Sequence, residues 1–413
     1  MKYVVIVGDG MPDYPIEELD GRTPLTYART PNMDKLAKYG EVGLVRNVPP
    51  DMPPGSDVAN LSVMGYDPAR YYTGRSPIEA VAMGVELAEN DLAFRCNLVT
   101  LSGDEPYEQR IMVDYSAGEI DTAEAREIIN LVAAELGSGI FNFYPGVSYR
   151  HLLVWREGPD PEEFNLTPPH DITEKAIGDY LPGGEYGEAL LELMKRSSAI
   201  LPGHPVNRAR AAKGLRTANS IWLWGQGRKP RLDSFSGKYG LEGAVISAVD
   251  LIKGLGLLAG LEVAEVAGAT GTITTNFTGK AYKALEVLVE GADFAFVHVE
   301  APDEAGHHGD LETKIKAIEE IDEKIVGEVL YGLEEEFPDY RLMVLADHPT
   351  PLSLRTHTAE PVPFCIYQGK GGLRKSWGRS EAKNPQGAFD ESFAAEGIFI
   401  EEGHTLMSHF LGR

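Results

Sequence analysis

Short, almost wholly apolar runs that read as strands mark both ends of this chain. Tyr3–Val7 is the first, and similar runs recur at Phe294–Val299, Leu342–Leu345 and Phe364–Tyr367. A strand with one wet face alternates in polarity, so unbroken runs of this length predict parallel strands covered on both sides. Between the second and third runs, Glu312 to Glu335 is periodic at helical spacing. A helix is also predicted from Thr30-Pro31 to Gly40, with a Thr cap, Pro in the first turn and a terminal Gly. Strand, long helix, strand is the grammar of a mostly parallel α/β sheet flanked by helices.

From Ile78 to Arg216 the texture changes. Shorter strands such as His151–Trp155 are mixed with helices at Thr122–Leu136 and Glu188–Ser198. Pro and Gly clusters interrupt them at Gly158–Pro161, Pro168-Pro169 and Pro182–Gly184. Residues 78–216 therefore read as a smaller α+β domain inserted into a core made of 1–77 and 217–413. Two domains also suit the length, since 413 residues exceed what one ordinary core accommodates. No internal repeat or low-complexity tract is visible.

Composition narrows the partners. Apolar residues are 43% and charged residues 24%, the balance of a globular protein. A net charge of −25 repels nucleic acid and anionic membranes, and an anionic substrate would need local cations to enter. The two cysteines, Cys96 and Cys365, lack metal-ligand spacing, which argues against both a disulfide scaffold and a structural zinc site. No charged leader precedes the first strand and no apolar run reaches the roughly 18 residues of a membrane helix, so a cytoplasmic location is expected. An oligomer is compatible with the sequence, although no patch predicts an interface.

Candidate chemistry sits just beyond the predicted strands. Asp9 follows the first, Asp303 and His307 follow the second, and Asp347-His348 follows the third, with His357 nine residues on. Asp303 and His307 are four apart and so share one side of a helical turn. Carboxylate with imidazole suits manganese, zinc, cobalt or iron and fits calcium poorly. Each residue alone has a bland reading, as a helix cap or a hydrogen-bonded core histidine. Asp303, His307 and His357 also resemble the two-His-one-carboxylate set of iron oxygenases, but that leaves the other acids unused. His308 competes with His307 on position, and His298 and Glu300 are expected to be structural. Ser56, in Gly55-Ser56-Asp57, precedes a helix-like run and reads first as an N-cap. A helix start also favours an anion, and a metal at the hydroxyl would make it a nucleophile. Gly254-Leu255-Gly256-Leu257-Leu258-Ala259 has dinucleotide-fingerprint spacing but continues a helix-like segment, so its glycines read as packing.

Taken together, the chain resembles the archaeal-type 2,3-bisphosphoglycerate-independent phosphoglycerate mutases of the alkaline phosphatase superfamily. The resemblance rests on Gly8-Asp9-Gly10, Gly55-Ser56-Asp57-Val58-Ala59, Gly65-Tyr66-Asp67-Pro68 and Tyr72-Thr73-Gly74-Arg75. It continues through Tyr149-Arg150-His151, His170-Asp171-Ile172, Lys238-Tyr239-Gly240, Asp303 to His307 and Asp347-His348-Pro349-Thr350-Pro351. The end, Phe389-Asp390-Glu391 to Gly403-His404-Thr405-Leu406-Met407, matches as well, so the whole chain is covered. Ser76 departs from the usual Gly after Gly74-Arg75.

The resemblance implies one divalent cation on Asp303, His307 and His357 and a second on Asp9, Ser56, Asp347 and His348. Manganese is the first expectation, with zinc, cobalt or magnesium as alternatives. It implies that Ser56 carries the phosphoryl group and that Lys238 neutralises it in transit. Arg150, His151, Asp171, Asn207, Arg208 and Arg210 would hold the glycerate, as guanidinium forks suit carboxylate and phosphate. The expected reaction interconverts 3- and 2-phosphoglycerate, with an inserted domain that excludes water. The rival is a metal-dependent phosphomonoesterase or phosphodiesterase of the same superfamily. A sulfatase would want a cysteine where Ser56 stands.

Overall fold

The computed structural model describes residues 1–103, 105–370, 382–385 and 387–413. The chain divides into two compact units, Met1–Tyr72 with Arg231–Arg413, and Thr73–Pro230.

In the first unit, β1 (Lys2–Gly8) and β2 (Glu41–Val45) precede the insertion. The insertion carries β3 (Leu92–Leu101), β4 (Met112–Asp114), β5 (Phe141–Tyr144), β6 (Arg150–Trp155) and β7 (Ser220–Arg228). After it come β8 (Gly243–Ile246), β9 (Glu262–Val263), β10 (Phe294–Val299), β11 (Asp339–Leu345), β12 (Val362–Lys370) and β13 (Ile398–Ile400). The first unit's eight strands run in the order β13-β2-β12-β11-β1-β10-β8-β9. Every pairing is parallel except the two that β12 makes with β11 and β2. Val4 to Val7 are wholly buried, as a central parallel strand requires. The register pairs Gly8 with Val299 and Val7 with Leu345, so β1, β10 and β11 end side by side. Ligand sites in open α/β sheets lie at this carboxyl edge.

The periodic stretch after β10 is not one uninterrupted helix. It runs as Leu311–Ile321 and Glu328–Glu336 with a π turn at Asp322–Gly327 between them. The π turn presents Asp322 to the start of the Pro31–Tyr39 helix, where its carboxylate accepts from the backbone N–H of Met33 at 2.7 Å and of Asn32 at 3.2 Å. Thr30, the expected cap, makes no side-chain cap bond there. The glycines of the false fingerprint do pack. A Cβ on Gly256 would lie 2.6 Å from Val245 Cγ2, so the Asp250–Leu258 helix approaches β8 closely because that residue has none.

The second unit is an antiparallel sheet, β4-β3-β6-β5 with β7 on the other side of β3. Its boundaries are Thr73 and Pro230, wider than the expected 78–216. The strand β7 accounts for one end, because it pairs with β3 from Leu92 to Val99. At the other end the Ser76–Ala82 helix packs on this sheet, where Ala80 joins Ala93, Leu152 and Val154 in one buried cluster. The unit's ends meet: Thr73 Oγ1 donates to the Arg228 carbonyl at 2.6 Å, and a Cβ on Gly227 would collide with the Thr73 carbonyl. Among the described residues, no helix is long and apolar enough to cross a membrane.

Candidate metal centre

Three chain segments leave the sheet at the same edge, and each delivers acid or imidazole. Asp9 directly follows β1, is 1% exposed, and sits beside His298 of β10 with Oδ2 and Nε2 3.1 Å apart. Asp347 and His348 follow β11 and are buried as well. The Asp347 carboxylate is fixed from two sides, by the Gly10 N–H at 3.2 Å and Asn60 Nδ2 at 2.8 Å. After β10 the chain enters the Ala301–His308 helix, which brings Asp303 and His307 onto one face, with Nε2 and Oδ2 3.4 Å apart. His357 completes that group, its Nε2 3.4 Å from Asp303 Oδ1 and 2.9 Å from His307 Nε2.

Ser56 is not an N-cap. Gly55 takes that place, and Ser56 is the first residue of the Ser56–Val63 helix. Its hydroxyl is therefore available, and it lies 3.1 Å from His348 Nε2. Asn60, one turn on, donates to the Ser56 carbonyl at 2.9 Å as well as to Asp347, which ties the helix start to the acid cluster.

The charges in this cluster call for cations. Burial, together with the negative charges of Asp347, Asp303 and Glu300, pushes the Asp9 carboxyl well above the usual carboxylate range. Asp9 Oδ1 is buried with no hydrogen-bond partner. Burial holds His348 low, hence neutral, and lowers His298 to about 4. Around Asp303 burial is overcome: bonds to His307 and His357 hold its carboxyl well below the ordinary value. His307 is half-buried, which would lower it, yet its bond to Asp303 and that carboxylate's charge raise it to about 9. Two sets of potential ligand atoms each lie within 4.8 Å of one another, Asp303 with His348 and His357, and Asp9 with His298 and Asp347. An orphaned carboxylate oxygen, crowded acids and converging imidazole nitrogens are the donor set of divalent transition metals. The donors fit such cations.

Several residues that support the site were not expected. His298, read as structural, lies directly on Asp9. Thr350 Oγ1 donates to Asp303 Oδ1 at 2.5 Å. Lys314, fully buried, donates to Asp13 Oδ2 at 2.8 Å and to the Thr350 carbonyl at 2.8 Å, while Asp13 accepts from the Leu352 N–H at 3.0 Å. One ion pair thus braces the loops after β1 and β11 together. Thr350 lies in the quoted Asp347–Pro351 motif and Asn60 one turn from Ser56, so those two had a local signal. Lys314 had none.

The expected phosphoryl and glycerate contacts are placed unevenly. Lys238 donates to the Gly65 carbonyl and lies over the rings of Tyr66 and Tyr239, in a cleft it shares with Asp67, Arg70 and Asp233. None of the metal-site donors lines that cleft. In the second unit Arg150 is exposed at the start of β6, and Asp171 is exposed beside His170. His151 is a core imidazole: burial pushes it down to about 3, and its Nδ1 accepts the Gly146 N–H at 3.0 Å. Asn207 is committed to the Leu201 and Ala218 carbonyls and the Ala218 N–H. Arg210 is likewise spent on Glu124 and on the carbonyls of Ala117 and Arg216. Arg208 stays exposed on the same helix.

Comparison with known proteins identifies the family of the chain. A family model described as 2,3-bisphosphoglycerate-independent phosphoglycerate mutase matches residues 37–207. A second, type I phosphodiesterase / nucleotide pyrophosphatase, matches residues 191–357. The chain is 52% identical, over all 413 residues and the full length of both proteins, to a probable 2,3-bisphosphoglycerate-independent phosphoglycerate mutase of Geobacter sulfurreducens. It is 49% identical to the Methanosarcina barkeri enzyme of that name, over 96% of each chain. Among solved structures, a Pyrococcus horikoshii protein aligns with a TM-score of 0.80 and 30% identity, over 100% of this chain and 96% of the other. The cofactor-independent phosphoglycerate mutase of Thermoplasma acidophilum aligns with a TM-score of 0.64 and 27% identity, over 100% and 99%.

Proposed function

The chain belongs to the 2,3-bisphosphoglycerate-independent phosphoglycerate mutases, and we propose that it interconverts 3-phosphoglycerate and 2-phosphoglycerate through a phosphoserine at Ser56. The observation that carries this is the Ser56 hydroxyl, free of capping duty and 3.1 Å from His348 Nε2. Asp303, His307 and His357 would hold one divalent cation, and Asp9, Ser56, Asp347 and His348 the other, with manganese the first candidate. Such cations supply charge neutralisation at the phosphoryl oxygens and acidify a bound hydroxyl.

Ser56 Oγ gives up its proton and attacks phosphorus in line, the bond from phosphorus to the 3-oxygen breaks, and that oxygen takes up a proton. Glycerate stays bound and turns. Its 2-hydroxyl then loses a proton and attacks the phosphoserine, the bond from phosphorus to Ser56 Oγ breaks, and that oxygen takes up a proton to restore Ser56. The helix that starts at Ser56 directs its positive dipole end at the added charge. Lys238 is assigned the neutralisation of the phosphoryl group in transit, which its flexible stem permits. Arg150, Asp171 and Arg208 are the glycerate contacts this reading retains.

Phosphorus NMR of the manganese-loaded chain with 3-phosphoglycerate tests the proposal. A 2-phosphoglycerate signal that appears without added 2,3-bisphosphoglycerate supports it. The match to phosphodiesterases over 191–357 favours hydrolysis as the second reading, and release of inorganic phosphate alone would establish that instead.

A further inference from the structure

We propose that His298 is a further ligand of the second divalent cation, beside Asp9 and Asp347. The proposal deepens the mutase reading and rests on it.

The register of the central strands places the three side chains together. Val7 of β1 pairs with His298 on one flank and with Leu345 on the other. Asp9 lies two residues beyond Val7, and Asp347 two beyond Leu345. Side chains alternate along strands, so both carboxylates come to the face that His298 occupies. One nitrogen of His298 and one oxygen from each acid all lie within 4.8 Å of one another.

The imidazole is wholly buried in the middle of a parallel sheet, and half of its bonding is unmet. Nε2 makes no hydrogen bond among the described residues, although Asp9 Oδ2 is only 3.1 Å away. Asp9 Oδ1, the other oxygen of that carboxylate, is orphaned as well. Two unpaired polar atoms in one dry place are costly, and a cation bound to both groups removes the cost. Donors that share one transition-metal ion stand about 3.0–3.6 Å apart. His298 Nε2 to Asp9 Oδ2 is 3.1 Å, while His348 Nε2 is 3.6 Å from Asp9 Oδ1 and 3.5 Å from Asp347 Oδ2. The Asp9 carboxylate thus meets an imidazole on each side.

The far side of the ring is held as a ligating histidine is held. Nδ1 lies 3.4 Å from Ser247 Oγ, directly after β8. That oxygen accepts the Val249 N–H at 3.0 Å and keeps a second lone pair for Nδ1–H. The proton is thereby assigned to Nδ1, and the Nε2 lone pair is left for the cation. Lys280, also buried, donates to the His298 carbonyl at 2.8 Å and pins the backbone of the same residue. An added imidazole shifts the preference of a carboxylate site towards zinc and cobalt.

Calorimetric titration of the metal-free full chain with zinc, and separately with manganese, tests the assignment. His298→Gln keeps a hydrogen-bond donor for Asp9 but removes the imidazole. It should weaken zinc by at least about 100-fold at one of two sites and spare the other, the upper end of what an outer partner costs. Manganese should weaken by about tenfold at most, because it accepts an amide oxygen in that place. The visible spectrum of the cobalt-loaded chain should change with the same substitution. A histidine that only steadied Asp9 would be replaced by the amide, with zinc affinity and cobalt spectrum unchanged; that result overturns the proposal. Equal weakening of zinc and manganese overturns it too, as does a parent that takes a single cation. A measurement on the parent alone guards against a variant that does not fold. Cadmium NMR of the chain with isotope-labelled histidine should show coupling to His298 as well as to His307, His348 and His357, and its absence at His298 overturns the assignment. The mutase reading fails separately, on the absence of 2-phosphoglycerate from the unsubstituted chain.

Discussion

Ser56 owes its availability to Gly55, which holds the N-cap position that serine would ordinarily fill. Replacing Ser56 with Ala should abolish conversion of 3-phosphoglycerate while manganese still binds, because Asp9, Asp347 and His348 remain. Intact-mass analysis of substrate-treated protein should show a phosphoryl adduct on the parent and none on the variant. Lys314 makes a different prediction. It is paired with Asp13 where both side chains are 0–1% exposed. Removing one partner of such a pair leaves a buried charge uncompensated, at about 3–5 kcal/mol. Lys314→Met should therefore lower the unfolding free energy extrapolated from urea denaturation by that amount, and weaken metal binding through the two loops it braces. A calorimetric titration with manganese, run where both proteins are folded, separates these effects.

Among the elements, the π turn at Asp322–Gly327 has the clearest consequence. Asp322 supplies the helix cap that Thr30 does not. Asp322→Ala strips the buried Met33 N–H and the half-buried Asn32 N–H of their acceptor, a loss of about 1–3 kcal/mol measurable by denaturation. Burial pushes the Asp322 carboxyl up to about 6, above its ordinary value of about 3.9. Between those values the folded chain keeps a proton that the unfolded chain has released. The stabilisation from this group is thus fullest below pH 4 and declines as pH rises through about 6. The gap in urea midpoint between parent and Asp322→Ala should narrow from pH 4 to pH 7. A periodic sequence could not announce the π turn, since its apolar face continues on both sides of it. The parallel strands and the acids beyond them were legible because burial on both faces leaves an unbroken apolar signature. By contrast, β7 was assigned to the wrong unit, since its pairing with β3 depends on a contact more than a hundred residues away. His298 was hidden for a related reason: it is a polar residue inside a strand, and only its neighbours on adjacent strands give it a role.

For the molecule as a whole, the meeting of Thr73 with Gly227 and Arg228 matters most. A segment whose ends lie together and whose core is its own can fold alone. The Thr73–Pro230 unit has such a core, built on Phe94, Leu98, Ile128, Leu153 and Trp222. A 73–230 fragment should give dispersed NMR spectra and a cooperative melt, while a 78–216 fragment, deprived of β7, should not. In the other unit, Lys280 and Lys314 are at most 1% exposed. An acylating reagent that marks surface amines within seconds should leave both untouched until the surrounding sheet opens, so their acylation would time the opening of the metal-binding half.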